Sequence, residues 1–346
     1  MIKPKILFIH TLNSATAYWR MYQFLLYLRE EFDLAFFPHW DPNLQTTCYF
    51  EGGLHKNSNN IETITHLLNN TQLIIMQKVH TPEGLSLVNL IKNNVRKPLL
   101  MEVDDLYTNV NSDSPAHQVY RYGADAPYWA NEQMETCDGV ITSTEYLKGL
   151  FSKINDKVFV IPNGIDLQYF LYKKPKKREK IRIGWCGSST HNRDLEILDK
   201  VISSFNGKVE FYFFGGVPDF LKNREGVTVD LGWVNLDKYF KKLKSLKFDI
   251  GLAPLRDSEF NRAKSNLRVL EYSALGIPTV ASDVLPYRNT PALLCRDKKD
   301  WIKAIEKLYD EDYRIKKGQE AYTWVKENFD TPIVAKKYIE VLKEFI

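Results

Sequence analysis

Cysteine is scarce in this chain: four in 346 residues (Cys48, Cys137, Cys186, Cys295), with no CxxC pair and no histidine at metal-ligand spacing. That excludes a disulfide framework and a zinc finger, and it suits a reducing cytosol. Nothing approaches the ~18 consecutive apolar residues of a membrane span. The opening residues, MIKPKILFIHTLNS, turn polar too soon for a secretory leader and read instead as a first buried strand. No GxGxxG follows any strand candidate, which argues against a dinucleotide-dependent dehydrogenase. Internal repeats and low-complexity tracts are lacking too. The net charge of +4 is mild. It permits a phosphate-bearing ligand, an anionic membrane surface or nucleic acid, and selects none of them.

What is present is an alternation of apolar β-rich runs and helical patterns. KILFIH, DLAFF, LIIMQ, PLLMEV, GVITS and KVFVIP are the strands expected in the first half, with helices near 18–30, 61–69, 83–93 and 128–137 between them. The cationic run YKKPKKREK, 172–180, breaks the pattern and reads as a solvated linker. Then IRIGWCG, KVEFYFFG, VTVDLGW, FDIGLAP and PTVAS restart it, with helices near 192–204 and 236–246. Short continuous hydrophobic strands bracketing helices indicate parallel sheets covered on both faces. The expectation is α/β: two doubly wound Rossmann-like domains facing across a cleft. Residues 1–170 would form the first, 171–180 the linker and 181–330 the second, with the terminal helix, 331–346, packing back on the first.

The stretch 262–278, RAKSNLRVLEYSALGIP, is the most informative. Arg262, Lys264 and Arg268 cluster around a helix start, where unpaired N–H groups and the helix dipole favour an anion. Glu271 lies further into the helix and suits ligand hydroxyls instead. Phosphate at one end and hydroxyls at the other describe a nucleotide or nucleotide-sugar. Ligands of open parallel sheets sit beyond the carboxyl ends of the strands. Those ends add Gly187 and Ser188, with His191 and Arg193 placed to meet phosphate, and Trp233 and Val234 placed to flank a base. In the first half they add Asn13 and Ser14, and the adjacent carboxylates Asp104 and Asp105. Ser188 to Thr190 serve equally well as helix caps.

KVFVIPNGIDLQYF, IRIGWCG, VTVDLGWV and FDIGLAP followed by KSNLRVLEYSALGIPTVASD, taken together, resemble the glycosyltransferases of the two-domain GT-B fold, close to the retaining family 4 type. The resemblance covers nearly the full length. In that family a Glu, seven residues and a second Glu precede a Gly-x-Pro helix end. The second Glu binds ribose, and the backbone after the first meets the diphosphate. The resemblance therefore implies ribose binding at Glu271 and diphosphate binding at Ser265, Asn266 and Leu267. It implies a nucleotide diphosphate sugar as donor, no cofactor and no metal. Arg193 matches one of a basic pair in relatives. The first Glu falls on Ala263, and the usual glycine pair after the first strand is replaced by Asn13-Ser14-Ala15. The chain reads VDD where many relatives carry a His, so Asp104 or Asp105 is expected near the reacting sugar.

Charge on the leaving diphosphate would then fall to Lys264, Arg193 and the helix start near Ser265. The acceptor is a glycan, a lipid-linked sugar or another hydroxyl compound. The polar, irregular segment 41–60 suits an acceptor loop. Lys238–Lys247 reads first as a solvated helix face and second as a peripheral membrane contact, with cytoplasmic residence at the inner face of a membrane. Two other readings share these residues: a nucleotide-sugar epimerase of the same fold, and a non-catalytic subunit of a glycan-assembly complex.

Overall fold

The apolar runs pair into parallel sheets because strands buried on both faces are favoured where crossover helices cover them. The computed structural model describes residues 2–10, 15–37, 58–79, 81–108, 110, 117, 125–170, 180–205, 207–232, 234 and 236–346. Among these, β1 (Lys5–Ile9), β2 (Asp33–Phe37), β3 (Leu73–Gln77), β4 (Leu99–Val103), β5 (Gly139–Thr142) and β6 (Val158–Val160) form one sheet in the order β2-β1-β3-β4-β5-β6. The second contains β7 (Arg182–Gly187), β8 (Glu210–Gly215), β9 (Val227–Asp230), β10 (Ile250–Ala253), β11 (Thr279–Ser282) and β12 (Leu293–Cys295). Its order is β12-β11-β10-β7-β8-β9, and both sheets are parallel throughout. The α/β doubly wound class expected from the alternation is therefore the observed one.

Chain contacts divide the molecule into two units, one holding β1–β6 together with Thr331–Ile346 and the other comprising mainly Ile165–Asp330. In the first, Ile6 and Phe8 of β1 face Leu73, Leu100 and Ile141 in a core that Val334, Ala335, Tyr338 and Leu342 of the helix Thr331–Lys343 complete. In the second, Ile183, Trp185, Phe211 and Phe213 pack with Leu195, Val201, Leu252 and Trp301. Alternate residues of one strand share a face, so each strand supplies both sides of its sheet.

The order reverses between β1 and β3 in the first sheet and between β7 and β10 in the second. Those are the switch points where loops diverge and leave a crevice. Close approach at the second is secured by glycines. A Cβ on Gly187 would enter the Trp185 ring, and one on Gly215 (φ 106°) would strike the Gly187 carbonyl.

Three elements depart from expectation. The helix near 18–30 is broken into Ala15–Arg20, Tyr22–Phe24 and Leu25–Leu28, with Met21 leaving helical geometry (φ −131°) where Arg20 is buried. The one near 192–204 is likewise short α and 3-10 turns. Strand β12, three residues long, carried no readable run of its own and pairs with β11. The linker, residues 172–180, lies outside the described residues except for Lys180, and so does most of the segment 41–60.

Candidate functional site

In the second unit the chain after β7 and the chain after β10 are tied together by one carboxylate. Asp194 Oδ1 accepts from the Arg256 backbone N–H (2.9 Å) and the Asn261 amide (3.1 Å), while Oδ2 lies 2.9 Å from His191 Nδ1. Asn261 also donates to the Arg256 carbonyl, and Ser282 Oγ accepts from the Leu255 N–H. The carboxyl ends of β7, β10 and β11 are thus stitched into one frame. Sequence reading missed Asp194, although its i,i+3 spacing from His191 is the usual spacing of a short-range pair.

Next comes the helix Leu267–Ala274. Its N-cap is Asn266, no side chain caps its first turn, and the half-buried Ser265, Asn266 and Leu267 lead into it. An uncapped helix start leaves N–H donors for an anion. The three cations expected around it have different fates. Arg262 forms a surface pair with Asp257 (2.6 and 2.9 Å). Arg268 turns inward, onto Glu271 (2.5 Å), the Tyr239 hydroxyl (3.2 Å) and the Cys186 thiol (3.0 Å). Lys264 lies with its ammonium 4.3 Å from the Phe260 ring centre. Arg268 is therefore committed to Glu271 rather than standing with Lys264 as surface charge.

Glu271 is only 3% exposed. Burial pushes its carboxyl above the ordinary range, against the pull of the Arg268 charge and a hydrogen bond from Tyr239. Its partners come from the helix Leu236–Leu246 and its own helix, a convergence that spacing along the chain does not reveal. His191 is held below the ordinary histidine value, by burial first. Its bond to Asp194 opposes this, and the charges of Lys264 and Arg268 reinforce it.

Gly187 ends β7, and Ser188 Oγ is bonded to Thr190 Oγ1 (2.6 Å) without capping the following turn. The Arg193 side chain is 53% exposed, with Nε 3.8 Å from Glu196. Val234 is half-buried, whereas Trp233, Asn13 and Ser14 lie outside the described residues. The helix Leu236–Leu246 buries Phe240, Leu243 and Leu246 and exposes Lys238, Lys241 and Lys244. A cavity of about 120 Å³ beside Phe205, Val209 and Gly226 lies at the amino ends of β8 and β9, the end of the sheet opposite this cluster.

In the first unit, Asp104 follows β4 and sits 3.5 Å from Lys78, with Asp105 half-buried beside it. Beneath them is a pair that sequence reading missed. Arg20 binds Glu102 of β4 (2.6 Å) and the Asn163 side chain (2.9 Å), and both ions are about 1% exposed. Among the described residues no group of three or more His, Cys, Asp or Glu side chains is arranged to hold a metal ion.

No protein-family model matches the chain, and no curated protein matches it by sequence. Its similarity to known proteins is structural. It superposes on HepE of Anabaena in complex with UDP and glucose with a TM-score of 0.69 at 13% identity, covering 99% of this chain and 100% of that one. An α,α-trehalose-phosphate synthase (UDP-forming) of Burkholderia vietnamiensis gives 0.63 at 11%, over 99% and 100%. An α-glucosyltransferase in complex with UDP and a 13-mer DNA gives 0.65 at 10%, over 98% and 99%. The likeness extends over the whole chain, and the fold is GT-B.

Proposed function

We propose that the chain is a glycosyltransferase that moves a sugar from a nucleoside diphosphate sugar, UDP being the first nucleotide to test, onto a hydroxyl acceptor. The observation that carries this reading is the cluster at the carboxyl ends of β7 and β10. An uncapped helix start at Ser265–Leu267 lies beside Lys264, and a buried carboxylate, Glu271, stands one turn further in. Three of the structural neighbours are HepE complexes with UDP or UDP-glucose, which supports the choice of nucleotide.

Physical roles follow from the chemistry. The N–H groups of Ser265, Asn266 and Leu267 and the Lys264 ammonium neutralise the diphosphate as the sugar–oxygen bond breaks. Glu271, its charge balanced by Arg268, accepts hydrogen bonds from the ribose hydroxyls. Gly187 and Ser188 admit close approach of the ligand, and Trp233 and Val234 flank the base. The reading includes retention of configuration: the acceptor oxygen bonds to the sugar on the face the diphosphate leaves, and the leaving phosphate takes the acceptor proton. Asn13 and Ser14 are proposed as further donor contacts, and Asp104 or Asp105 as the carboxylate near the reacting sugar. Arg193, turned to solvent, would need to swing inward to contribute.

The acceptor is proposed to be a glycan or lipid-linked hydroxyl, met in the cytoplasm or at the inner face of a membrane. No described helix is long and apolar enough to cross a membrane, so contact there would be peripheral. Calorimetric titration with UDP and UDP-sugars tests the donor site; failure of every nucleotide to bind sinks the reading. Fixed cations as charge carriers make turnover independent of divalent metal. UDP release from a bound donor should then be unchanged by excess EDTA, and its abolition with recovery on adding Mg²⁺ would overturn that part.

A further inference from the structure

Position 263 poses a question that the donor reading leaves open. Ala263 is fully buried and its side chain ends at Cβ, so it offers no hydrogen bond to a sugar. A site that discriminates sugars needs an acceptor for their hydroxyls, because selectivity arises when a polar partner is left unpaired by the wrong ligand.

We propose that His191 fills this role, accepting a hydrogen bond from a hydroxyl of the donor sugar through Nε2. The inference rests on the donor-site reading above. Its geometric basis is the pairing of Nδ1 with Asp194 Oδ2 at 2.9 Å. Asp194 is 5% exposed and accepts from Arg256 and Asn261 through its other oxygen, so it is an acceptor at both ends. An ionised carboxylate has no proton to give, so the proton of the neutral ring resides on Nδ1 and Nε2 presents its lone pair. Among the described residues nothing is hydrogen-bonded to Nε2, and the ring packs edge-on to Trp185 with centroids 6.4 Å apart. The side chain is 27% exposed, so part of the ring is accessible to a ligand.

The ring's charge state decides which ligand group it serves. Burial is the leading influence against the imidazolium, Lys264 and Arg268 add to it, and Asp194 opposes. A neutral ring meets a diphosphate oxygen lone pair to lone pair, which is repulsive. It meets a hydroxyl as acceptor to donor. His191 therefore serves the sugar, not the phosphate that its sequence neighbourhood suggested.

The test uses the full chain and two variants chosen for where they place a polar atom. His191→Asn keeps a group near Nδ1 for Asp194 but stops short of Nε2, whereas His191→Gln returns an amide near Nε2. Each is titrated calorimetrically with UDP and with whichever of UDP-glucose and UDP-N-acetylglucosamine the wild type binds more tightly. Expected is UDP affinity within about twofold of wild type for both variants. UDP-sugar affinity should fall about tenfold in His191→Asn and recover in part in His191→Gln. Equal losses for UDP and UDP-sugar, or no loss for either, overturn the assignment while the donor reading stands. A wild-type protein that binds no nucleotide overturns both.

Discussion

At the scale of single residues, the site is decided by which charges are already matched inside the protein. In the proposed reaction Lys264 meets the negative charge that develops on the leaving diphosphate. Lys264→Ala should lower turnover by two or more orders of magnitude, the usual scale for a preorganised electrostatic partner, with the melting temperature little changed; wild-type turnover would remove it from the mechanism. Glu271 and Arg268 act as a pair. Arg268→Ala leaves a carboxylate charge almost wholly buried and should cost about 3–5 kcal/mol in urea unfolding. Adding Glu271→Ala to it should recover part of that loss, and strictly additive losses would mean that the two do not interact. Nucleotide affinity should fall in Glu271→Ala, and its preservation would leave that carboxylate a structural role. Glu102 carries the clearest pH signature. Burial raises its carboxyl to about 7, with Asp104 adding to the rise and Arg20 and Lys78 opposing it. The folded state therefore binds a proton that the unfolded chain has released. Stability from this group is complete below about 4.5, declines as pH rises to about 7 and is level above that. Urea midpoints at several pH values should show that decline in wild type and a flatter profile in Glu102→Gln.

At the scale of elements, the helices of the second unit differ in how they begin. The helix Lys298–Lys307 is capped by Asp297, which accepts from the N–H groups of Lys299 (2.8 Å) and Asp300 (3.0 Å). Removing that cap, in Asp297→Ala, should lower the urea midpoint without touching nucleotide binding. Leu267–Ala274 has no side-chain cap on its first turn, where the proposed diphosphate contact falls. Strands and long amphipathic helices were legible because their apolar periodicity is local. Met21 broke an expected helix where the buried Arg20 reaches Glu102, and no periodicity encodes an ion pair between residues so far apart. The three residues of β12 were too few to carry a pattern, and pairing with β11 supplies what the run lacks.

For the whole molecule, each unit completes its own core, and the first does so with the far end of the chain. Tyr338 packs edge-on against Phe24 (5.3 Å) and Phe8 (6.5 Å), and Leu342 is fully buried beside them. Leu342→Ala should therefore destabilise the first unit by about 2–5 kcal/mol, the range for a buried Leu truncation. A two-step melt in which the nucleotide-stabilised step keeps its midpoint would place the loss there. A shift of that step instead would contradict the division into units.

The sequence by itself determined the α/β class, all the strands but β12, and the placing of Glu271 and the Ser265–Leu267 turn on one helix, because hydrophobic period and helix start signals are encoded by near neighbours. Tertiary structure alone decided that Arg268 is committed to partners inside the protein. Arg268 was indistinguishable from Lys264 as a letter in a cationic run until the fold brought Glu271, Tyr239 and Cys186 around it. Asp194 acquired its meaning only when the strand order set the chain after β7 beside the chain after β10. Electrostatic commitment depends on distance in space and on burial, and neither is a property of spacing along the chain.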